Sequence, residues 1–231
     1  MNSIFKNGGE KMMNDNSFYT DQMDLSRQMP GMAYIRLFHA APNTPAVDVY
    51  ADGKLIAKRL TYGQFTEYMP LAMGTYSIEA FPFGLKQSPI LSIRLPIADS
   101  KMYTLAIIGL LPRIGILPIE DEYEDLYAGR VNIRFANLSP NAPSLNLALS
   151  GGLDLFTDIK YTELSDYRSM IPGIYNFVVR PTMTATNVAH LPNIRLLPKR
   201  NLTFYVLGIF GQQPSTLEVF IPMDGTSYLR V

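Results

Sequence analysis

The sequence has no cysteine and no tryptophan among its 231 residues. Without cysteine, disulfides, thiolate nucleophiles and cysteine-ligated zinc are excluded, so packing must hold the fold together. Without tryptophan, a ligand cannot stack on the side chain that has the largest aromatic face. These two absences limit the kinds of covalent and metal site that the chain can have and the aromatic rings on which a ligand could stack.

Net charge is also missing, because 20 Lys and Arg residues balance 20 Asp and Glu residues. Nucleic-acid binding and attraction to anionic lipid both need clustered basic residues that contact phosphates. The sequence also lacks a run of about 18 apolar residues that could cross a membrane. We therefore predict no nucleic-acid partner and no membrane insertion.

A tandem repeat is the main feature that is present. YIRLFHAAPNTPAVDVY, residues 34–50, is echoed by NIRFANLSPNAPSLNLA, residues 132–148, at a spacing of 98 residues. The endings Leu117–Glu120 and Ile221–Asp224 also match. Further matches lie between them: Tyr62, Tyr68, Gly74 and Tyr76 recur as Tyr161, Tyr167, Gly173 and Tyr175. A repeat at nearly constant spacing indicates two units, each of about 90 residues and able to bury its own core.

Short apolar runs that alternate and are broken by Pro and Gly favour strands over helices in both units. In the first run Ile35, Leu37 and His39 share one face, and Arg36 lies on the opposite face with Tyr34 and Phe38. Further strands are predicted at 65–69, 75–81, 90–95, 102–108 and 114–119, and at 164–168, 174–180, 193–197, 203–209 and 217–221. This pattern predicts an all-β chain built from two tandem antiparallel β-sandwiches.

The chain divides into a flexible polar tail at 1–32, units at 33–120 and 130–231, and an acidic linker at 121–129. The tail has no apolar core of the kind found in a secretory signal peptide, so the sequence by itself predicts a cytoplasmic protein. The tail is either mobile or docks on a neighbouring subunit by adding a strand. Residues 7–13 read like a translated bacterial ribosome-binding site, which makes Met12 or Met13 a candidate natural start.

Five carboxylates lie between the units, within residues 120–125. A cluster of hard oxygen ligands could hold calcium. Consecutive carboxylates also repel each other and usually form a solvated linker, and this run lacks the glycine-turned spacing of a calcium loop. We predict the solvated linker and keep calcium as the alternative.

The repeated stretch resembles the opening motif of a bacterial family, domain-of-unknown-function family 4397. The resemblance covers about residues 33–119 and 130–224 and implies immunoglobulin-like sandwiches on secreted or anchored bacterial proteins. The second unit departs from the motif, with Asn137 in place of His39 and Asn146 in place of Asp48. The candidate motif or binding residues are Arg36, His39, Pro42, Pro45, Asp48, Arg134, Asn137, Pro140, Pro143 and Asn146.

Catalytic signatures are missing from the chain. Its two histidines, His39 and His190, are not at equivalent repeat positions, and no nucleophile elbow or phosphate loop is present. We therefore predict no catalytic residue, no metal site, no cofactor and no enzyme activity, with a hydrolase as a remote alternative.

The predicted function is a non-catalytic structural, adhesive or self-assembly module of a bacterial envelope or surface layer, including a cell or spore surface. Its partners would be copies of itself or a surface polymer. The alternative is a carbohydrate- or peptide-binding module that uses exposed rings among Tyr62, Tyr68, Tyr76, Tyr161, Tyr167 and Tyr175. Because Arg36 and Asp48 point outward from strands predicted to be adjacent, a cross-strand ion pair is expected, which Arg134 and Asn146 cannot match in charge.

Overall fold

The structure is a computed structural model that describes residues 31–121, 129–184, 186–211, 216–227 and 229. The proposed tail docking and the alternative start therefore lie outside the described residues. The same is true of residues 122–128 in the predicted linker. The division of the chain stays a prediction where its boundaries fall in these segments.

The first unit has eight strands in two four-stranded sheets. One sheet has the order β4-β1-β7-β8 and the other β3-β2-β5-β6. The strands are β1 (Met32–His39), β2 (Val47–Ala51), β3 (Lys54–Leu60), β4 (Met69–Ala72), β5 (Gly74–Pro82), β6 (Leu91–Ile97), β7 (Met102–Leu110) and β8 (Arg113–Glu120).

The second unit repeats this plan, with the sheet orders β12-β9-β15-β16 and β11-β10-β13-β14. A 3-10 turn, Gly225–Ser227, follows its last strand. The strands are β9 (Val131–Asn137), β10 (Leu145–Leu149), β11 (Asp154–Ile159), β12 (Arg168–Met170), β13 (Gly173–Pro181), β14 (Ala189–Leu196), β15 (Asn201–Leu207) and β16 (Glu218–Phe220). The prediction of two tandem all-β sandwiches is confirmed.

One strand pair in each unit departs from the predicted antiparallel arrangement. β1 pairs with β7 in parallel, and β9 pairs with β15 in parallel. The other ladders between the named strands are antiparallel. Alternation of apolar residues reports burial of one face and carries no information on strand direction, so the sequence could not separate the two cases.

The fourth strand of each unit begins later than predicted. The strand expected at 65–69 is β4, and the one expected at 164–168 is β12. In the predicted segment before β4, a side-chain hydroxyl takes the place of a backbone carbonyl as hydrogen-bond acceptor: Thr66 Oγ1 accepts from the Leu37 amide at 2.9 Å. Ser165 Oγ accepts from the Phe135 amide in the same way. Side-chain bonds of this kind compete with regular pairing.

Each sandwich buries a separate apolar core between its two sheets. In the first unit Ile35 and Leu37 meet Val47 and Val49, as the alternation predicts. The second core is built from the equivalent strands around Phe135. Burial of these side chains stabilises each unit by about 25 cal/mol for every Å² removed from water.

A third apolar cluster lies between the two units. Phe38, on the face of β1 opposite Ile35 and Leu37, is fully buried and packs with Tyr205 at a ring distance of 5.3 Å. The sheet that contains β1 thus faces the sheet that contains β9, and the molecule has four layers. The cluster consists of Phe38, Ala40, Ala106, Ile108, Ile119, Ala136, Leu138, Tyr205 and Leu207. Among the described residues, no helix is long and apolar enough to cross a membrane.

Candidate functional site

Eight polar side chains lie beside the apolar cluster at the contact between the units, four from each unit. Each unit contributes an arginine from its first strand, a tyrosine that precedes its fourth, a threonine from its seventh and an aspartate that follows its eighth. We call these eight residues the interface cluster: Arg36, Tyr68, Thr104, Asp121, Arg134, Tyr167, Thr203 and Asp224.

The two arginines bind the opposite unit. Arg36 Nη2 lies 3.2 Å from Asp224 Oδ1, and Arg36 Nη1 donates to the Met223 carbonyl at 2.9 Å. Arg134 Nη2 lies 2.7 Å from Asp121 Oδ1, and Arg134 Nη1 donates to the backbone carbonyl of the residue before Asp121. The two units thus exchange the same contact in both directions, which is the pattern of a two-fold symmetric interface.

Each aspartate is also held by its own unit. Thr104 Oγ1 accepts from Arg36 Nε at 2.8 Å and donates to Asp121 Oδ2 at 3.0 Å. Thr203 Oγ1 makes the equivalent bonds at 2.7 Å to Arg134 Nε and Asp224 Oδ2. Each threonine therefore bonds to the arginine of one ion pair and to the aspartate of the other, so the two ion pairs are connected.

The two tyrosines complete the cluster. Tyr68 donates to Asp121, and Tyr167 donates to Asp224 Oδ2 at 2.7 Å. Their rings lie under the guanidinium groups, 4.8 Å from Arg36 Cζ and 4.6 Å from Arg134 Cζ. Each arginine thus has a carboxylate, a carbonyl, a hydroxyl and an aromatic face around it, which is the environment a buried guanidinium requires.

Burial controls the protonation of the cluster. Desolvation and the neighbouring carboxylates raise the pKa of Tyr68 and of Tyr167 above the ordinary value, so both hydroxyls keep their protons and act as donors. Desolvation and the charge of Asp121 raise the pKa of Asp224 to about 6. All four charged side chains are at most 6% exposed, so their ion pairs are a buried contact that joins the two units.

The predicted ion pair between Arg36 and Asp48 is wrong. Arg134 and Asn146, which occupy the equivalent pair of positions in the second unit, are not paired across strands either. β1 and β2 belong to different sheets, so their outer faces point in opposite directions. Asp48 Oδ1 instead accepts from the amide of Arg59 at 2.8 Å. Asn146 Oδ1 accepts from the equivalent amide of Asp158 at 2.9 Å. Both residues stabilise a bulge in the neighbouring strand.

The φ angle of Arg59 is 52°, and that of Asp158 is 59°. Both values lie in the left-handed region, where residues other than glycine are uncommon. The hydrogen bond from each amide to the side chain of Asp48 or Asn146 helps to offset this backbone strain. These two motif residues therefore have a structural role in both units.

The alignment of the repeat endings is wrong by one residue. Tyr103 pairs with Glu120, and its counterpart Leu202 pairs with Met223. Asp121 is therefore the equivalent of Asp224, and the match of Glu120 with Asp224 does not hold. The prediction of a solvated linker also fails for Asp121, which is 3% exposed. The sequence conceals this residue because four other carboxylates surround it in the acidic run.

His39 and Asn137 hold the proline-containing connection that follows the first strand of each unit. His39 Nε2 lies 3.1 Å from the Pro45 carbonyl, and Asn137 Nδ2 donates to the Pro143 carbonyl at 3.3 Å. Burial lowers the pKa of His39, so the ring is neutral. Its Nδ1 has no hydrogen-bond partner among the described residues. Of the four motif prolines, Pro42 is buried, Pro140 is half-buried, and Pro45 and Pro143 are exposed.

The six repeated tyrosines do not form an exposed platform for a ligand, since each is partly buried. Tyr76 and Tyr175 donate to the carbonyls of Ala72 and Ile171, four residues earlier in the chain. The other four belong to the interface cluster or pack against the apolar cluster between the units. Their recurrence thus reflects packing within and between the units.

A cavity of about 580 Å³ lies at one end of the second unit, beside the connection that contains Pro143. Thr182 lines it, and the equivalent residue of the first unit is Phe83, because each donates its amide to the same connection. The Phe83 ring lies 5.4 Å from the guanidinium of Arg59. The remaining lining is mostly apolar and includes Pro181, Met183, Val188 and Phe210. Within the described parts of the chain, no three His, Asp or Glu side chains are placed to hold a metal ion.

Comparison with solved structures returned proteins of low similarity. The C-terminal domain of AlgF from P. aeruginosa is 21% identical, with 41% of this chain and 98% of that chain covered and a TM-score of 0.34. A family CBM26 module of Eubacterium rectale Amy13K, solved with maltoheptaose, is 11% identical, with 83% and 96% covered and a TM-score of 0.24. The fimbrial anchor protein Mfa2 from Porphyromonas gingivalis is 12% identical, with 84% and 98% covered and a TM-score of 0.22. Similarity at these scores carries no conclusion about function.

No match was found among curated protein sequences. A family model described as "Domain of unknown function (DUF4397)" matches residues 33–148, about half of the chain. The match includes the first unit and the repeated motif at the start of the second. The chain belongs to this family.

Proposed function

We propose that the protein is a non-catalytic structural or adhesive building block of a bacterial surface layer or envelope. The observation that supports this most is the interface cluster, in which the polar groups that could perform chemistry are buried and bonded to each other. Arg36 and Asp224 pair with each other across the contact and are also bonded within their own units, so the two sandwiches act as one rigid block. A rigid block with open sheet edges suits assembly with copies of itself or with a surface polymer.

Self-assembly is tested by the molar mass of the purified chain, measured by light scattering over a range of concentrations, with and without residues 1–30. We expect the full chain to form assemblies as concentration rises, and the truncated chain to lose those that depend on strand addition by the tail. A chain that stays monomeric at high concentration with and without the tail would contradict self-assembly.

A carbohydrate- or peptide-binding function is the second candidate, and the cavity beside Pro143 favours it. Thr182 lines the cavity at the position where the first unit has Phe83, and the apolar lining with a few hydroxyl groups is typical of a ligand site. Thr182→Phe should fill the cavity and abolish binding on a glycan or peptide array, while Phe83→Thr in the first unit serves as the control. Binding that survives Thr182→Phe would remove the cavity as the site.

A further inference from the structure

Among the described residues, the contact between the two units is made by side chains of the units themselves. It is made by residues 36–121 of one unit and residues 134–225 of the other, with Arg36 and Arg134 each bound to an aspartate of the opposite unit. Residues 122–128 connect the units, so the connection is seven residues long. Short connections between complementary elements are the usual setting for exchange of an element between copies of a protein.

The contact is also selective for one unit of each kind. Phe38 meets Tyr205 across the interface, whereas their counterparts Ala136 and Ala106 are small. The equivalence follows from the ladders, since Phe38 pairs with Ala106 and Ala136 pairs with Tyr205. The aromatic pair can therefore form only when a first unit meets a second unit.

The end of the second unit reaches across the contact and strengthens this selectivity. The amide of Gly225 donates to Tyr68 Oη of the first unit at 3.1 Å. A β-carbon at Gly225 would lie 2.9 Å from both Met102 Sδ and the Tyr68 ring, so the close approach needs glycine. A first unit thus contacts a second unit through ion pairs, through an aromatic pair and through a backbone amide.

We propose that copies of this protein exchange units, with the first unit of one chain bound to the second unit of another through the interface cluster and the apolar cluster around Phe38 and Tyr205. The smallest product is a closed dimer that contains the contact twice, and open exchange gives longer chains. This inference rests on the proposed self-assembly and names the surface that performs it. The partner is a second copy of this chain.

The test uses two full-length variants with complementary charge reversals, Arg36→Asp and Asp224→Arg. Each variant alone has one reversed residue that faces a like charge within its own chain. When the two are unfolded together and refolded, exchange pairs Asp at position 36 with Arg at position 224 and restores the native pair in the other contact. We expect a 1:1 heterodimer by native mass spectrometry, which neither variant forms alone.

The control is the chain that carries both reversals, which should refold as a monomer at low concentration because the reversed pair forms within it. If this control folds and the mixed variants still give no heterodimer, the proposal is overturned. If the control does not fold, the decision passes to wild-type chains, one batch labelled with ¹⁵N, refolded together at high concentration. Dimers of one labelled and one unlabelled chain that form on refolding together, and not on mixing chains that are already folded, support exchange. If refolding gives only monomers, or if the same dimers form on mixing folded chains, the proposal is overturned.

The outcome is separable from the test of the proposed function. Exchange requires none of residues 1–30, so tail truncation leaves the heterodimer intact. A native chain that stays monomeric at every concentration, together with a heterodimer after refolding, would contradict physiological self-assembly and leave the exchange surface in place.

Discussion

At the scale of single residues, Arg36 and Arg134 occupy the same position in the two units, and each takes its carboxylate from the other unit. A buried guanidinium is costly unless a carboxylate and further acceptors surround it. Each arginine meets that requirement only when the units are packed together. The motif arginine is therefore the residue that links the sequence repeat to the tertiary contact.

Asp224→Ala should lower the free energy of unfolding by about 3–5 kcal/mol, because it leaves the buried Arg36 without its carboxylate. The matched control is Asp154→Ala, which removes a partly exposed pair with Arg180 at 2.8 Å. That change should cost about 0–1 kcal/mol. Urea unfolding followed by circular dichroism measures both, and equal losses in the two variants would contradict the role of Asp224.

The raised pKa of Asp224 predicts a pH-dependent stability. The folded state binds the proton of the Asp224 carboxyl more tightly than the unfolded state does. The stability that this proton contributes is therefore fully present below pH 3.8 and is lost as pH rises to about 6. The loss is about 3 kcal/mol over that window, since one unit of pKa corresponds to about 1.4 kcal/mol.

Urea unfolding between pH 4 and pH 7, with Asp224→Asn as the variant, measures this dependence. The wild type should lose stability relative to Asp224→Asn as pH rises through the window. The exposed Asp99→Asn variant is the control and should follow the wild type. A wild type that gains stability relative to Asp224→Asn would show that Asp224 has a lowered pKa.

At the scale of elements, the connections from β1 to β2 and from β9 to β10 are held by different side chains at the same position. Asn137 Nδ2 donates to the carbonyls of Pro143 and Ile159, and its Oδ1 accepts from the Ser139 amide. His39 makes one such bond, to Pro45. The number of hydrogen bonds therefore differs, while the path of the chain is the same.

Asn137→Leu should cost about 3 kcal/mol and His39→Leu about 1 kcal/mol or less, at roughly 1 kcal/mol for each hydrogen bond lost. The two substitutions are controls for each other, because the surroundings are equivalent in the repeat. Urea titration measures the free energy of unfolding of each variant for this comparison. A His39→Leu loss as large as that of Asn137→Leu would show that hydrogen bonds do not determine the difference.

At the scale of the whole molecule, the buried contact predicts that both units unfold in a single transition. Phe38 is fully buried between the units and belongs to the apolar cluster at their contact, not to either sandwich core. Phe38→Ala should cost about 3–5 kcal/mol through the cavity it leaves and should separate the unfolding of the two units.

Differential scanning calorimetry provides the measurement. The wild type should give one peak whose calorimetric and van't Hoff enthalpies agree, and Phe38→Ala should give two peaks or a broadened one. Leu55→Ala, on an exposed position of β3, is the control and should keep the single peak. Two well-separated peaks in the wild type would mean that the units unfold independently.

The sequence by itself determined the repeat, the all-β class and the inward faces of the first strands, because alternation directly reports which side of a strand is buried. Ile35 and Leu37 were placed correctly for this reason. Strand direction, and the start of the fourth strand after Thr66, were decided by pairings between residues far apart in the chain.

The candidate site was decided by the tertiary structure. Alternation placed Arg36 and Phe38 on the outer face of β1 correctly, yet a face that points away from one sandwich can meet either water or a second sandwich. Which of the two it meets depends on how the units pack, and that contact joins Arg36 to Asp224, 188 positions away. A local pattern cannot encode such a distance, so the sequence indicated two units and only the tertiary structure made them one block.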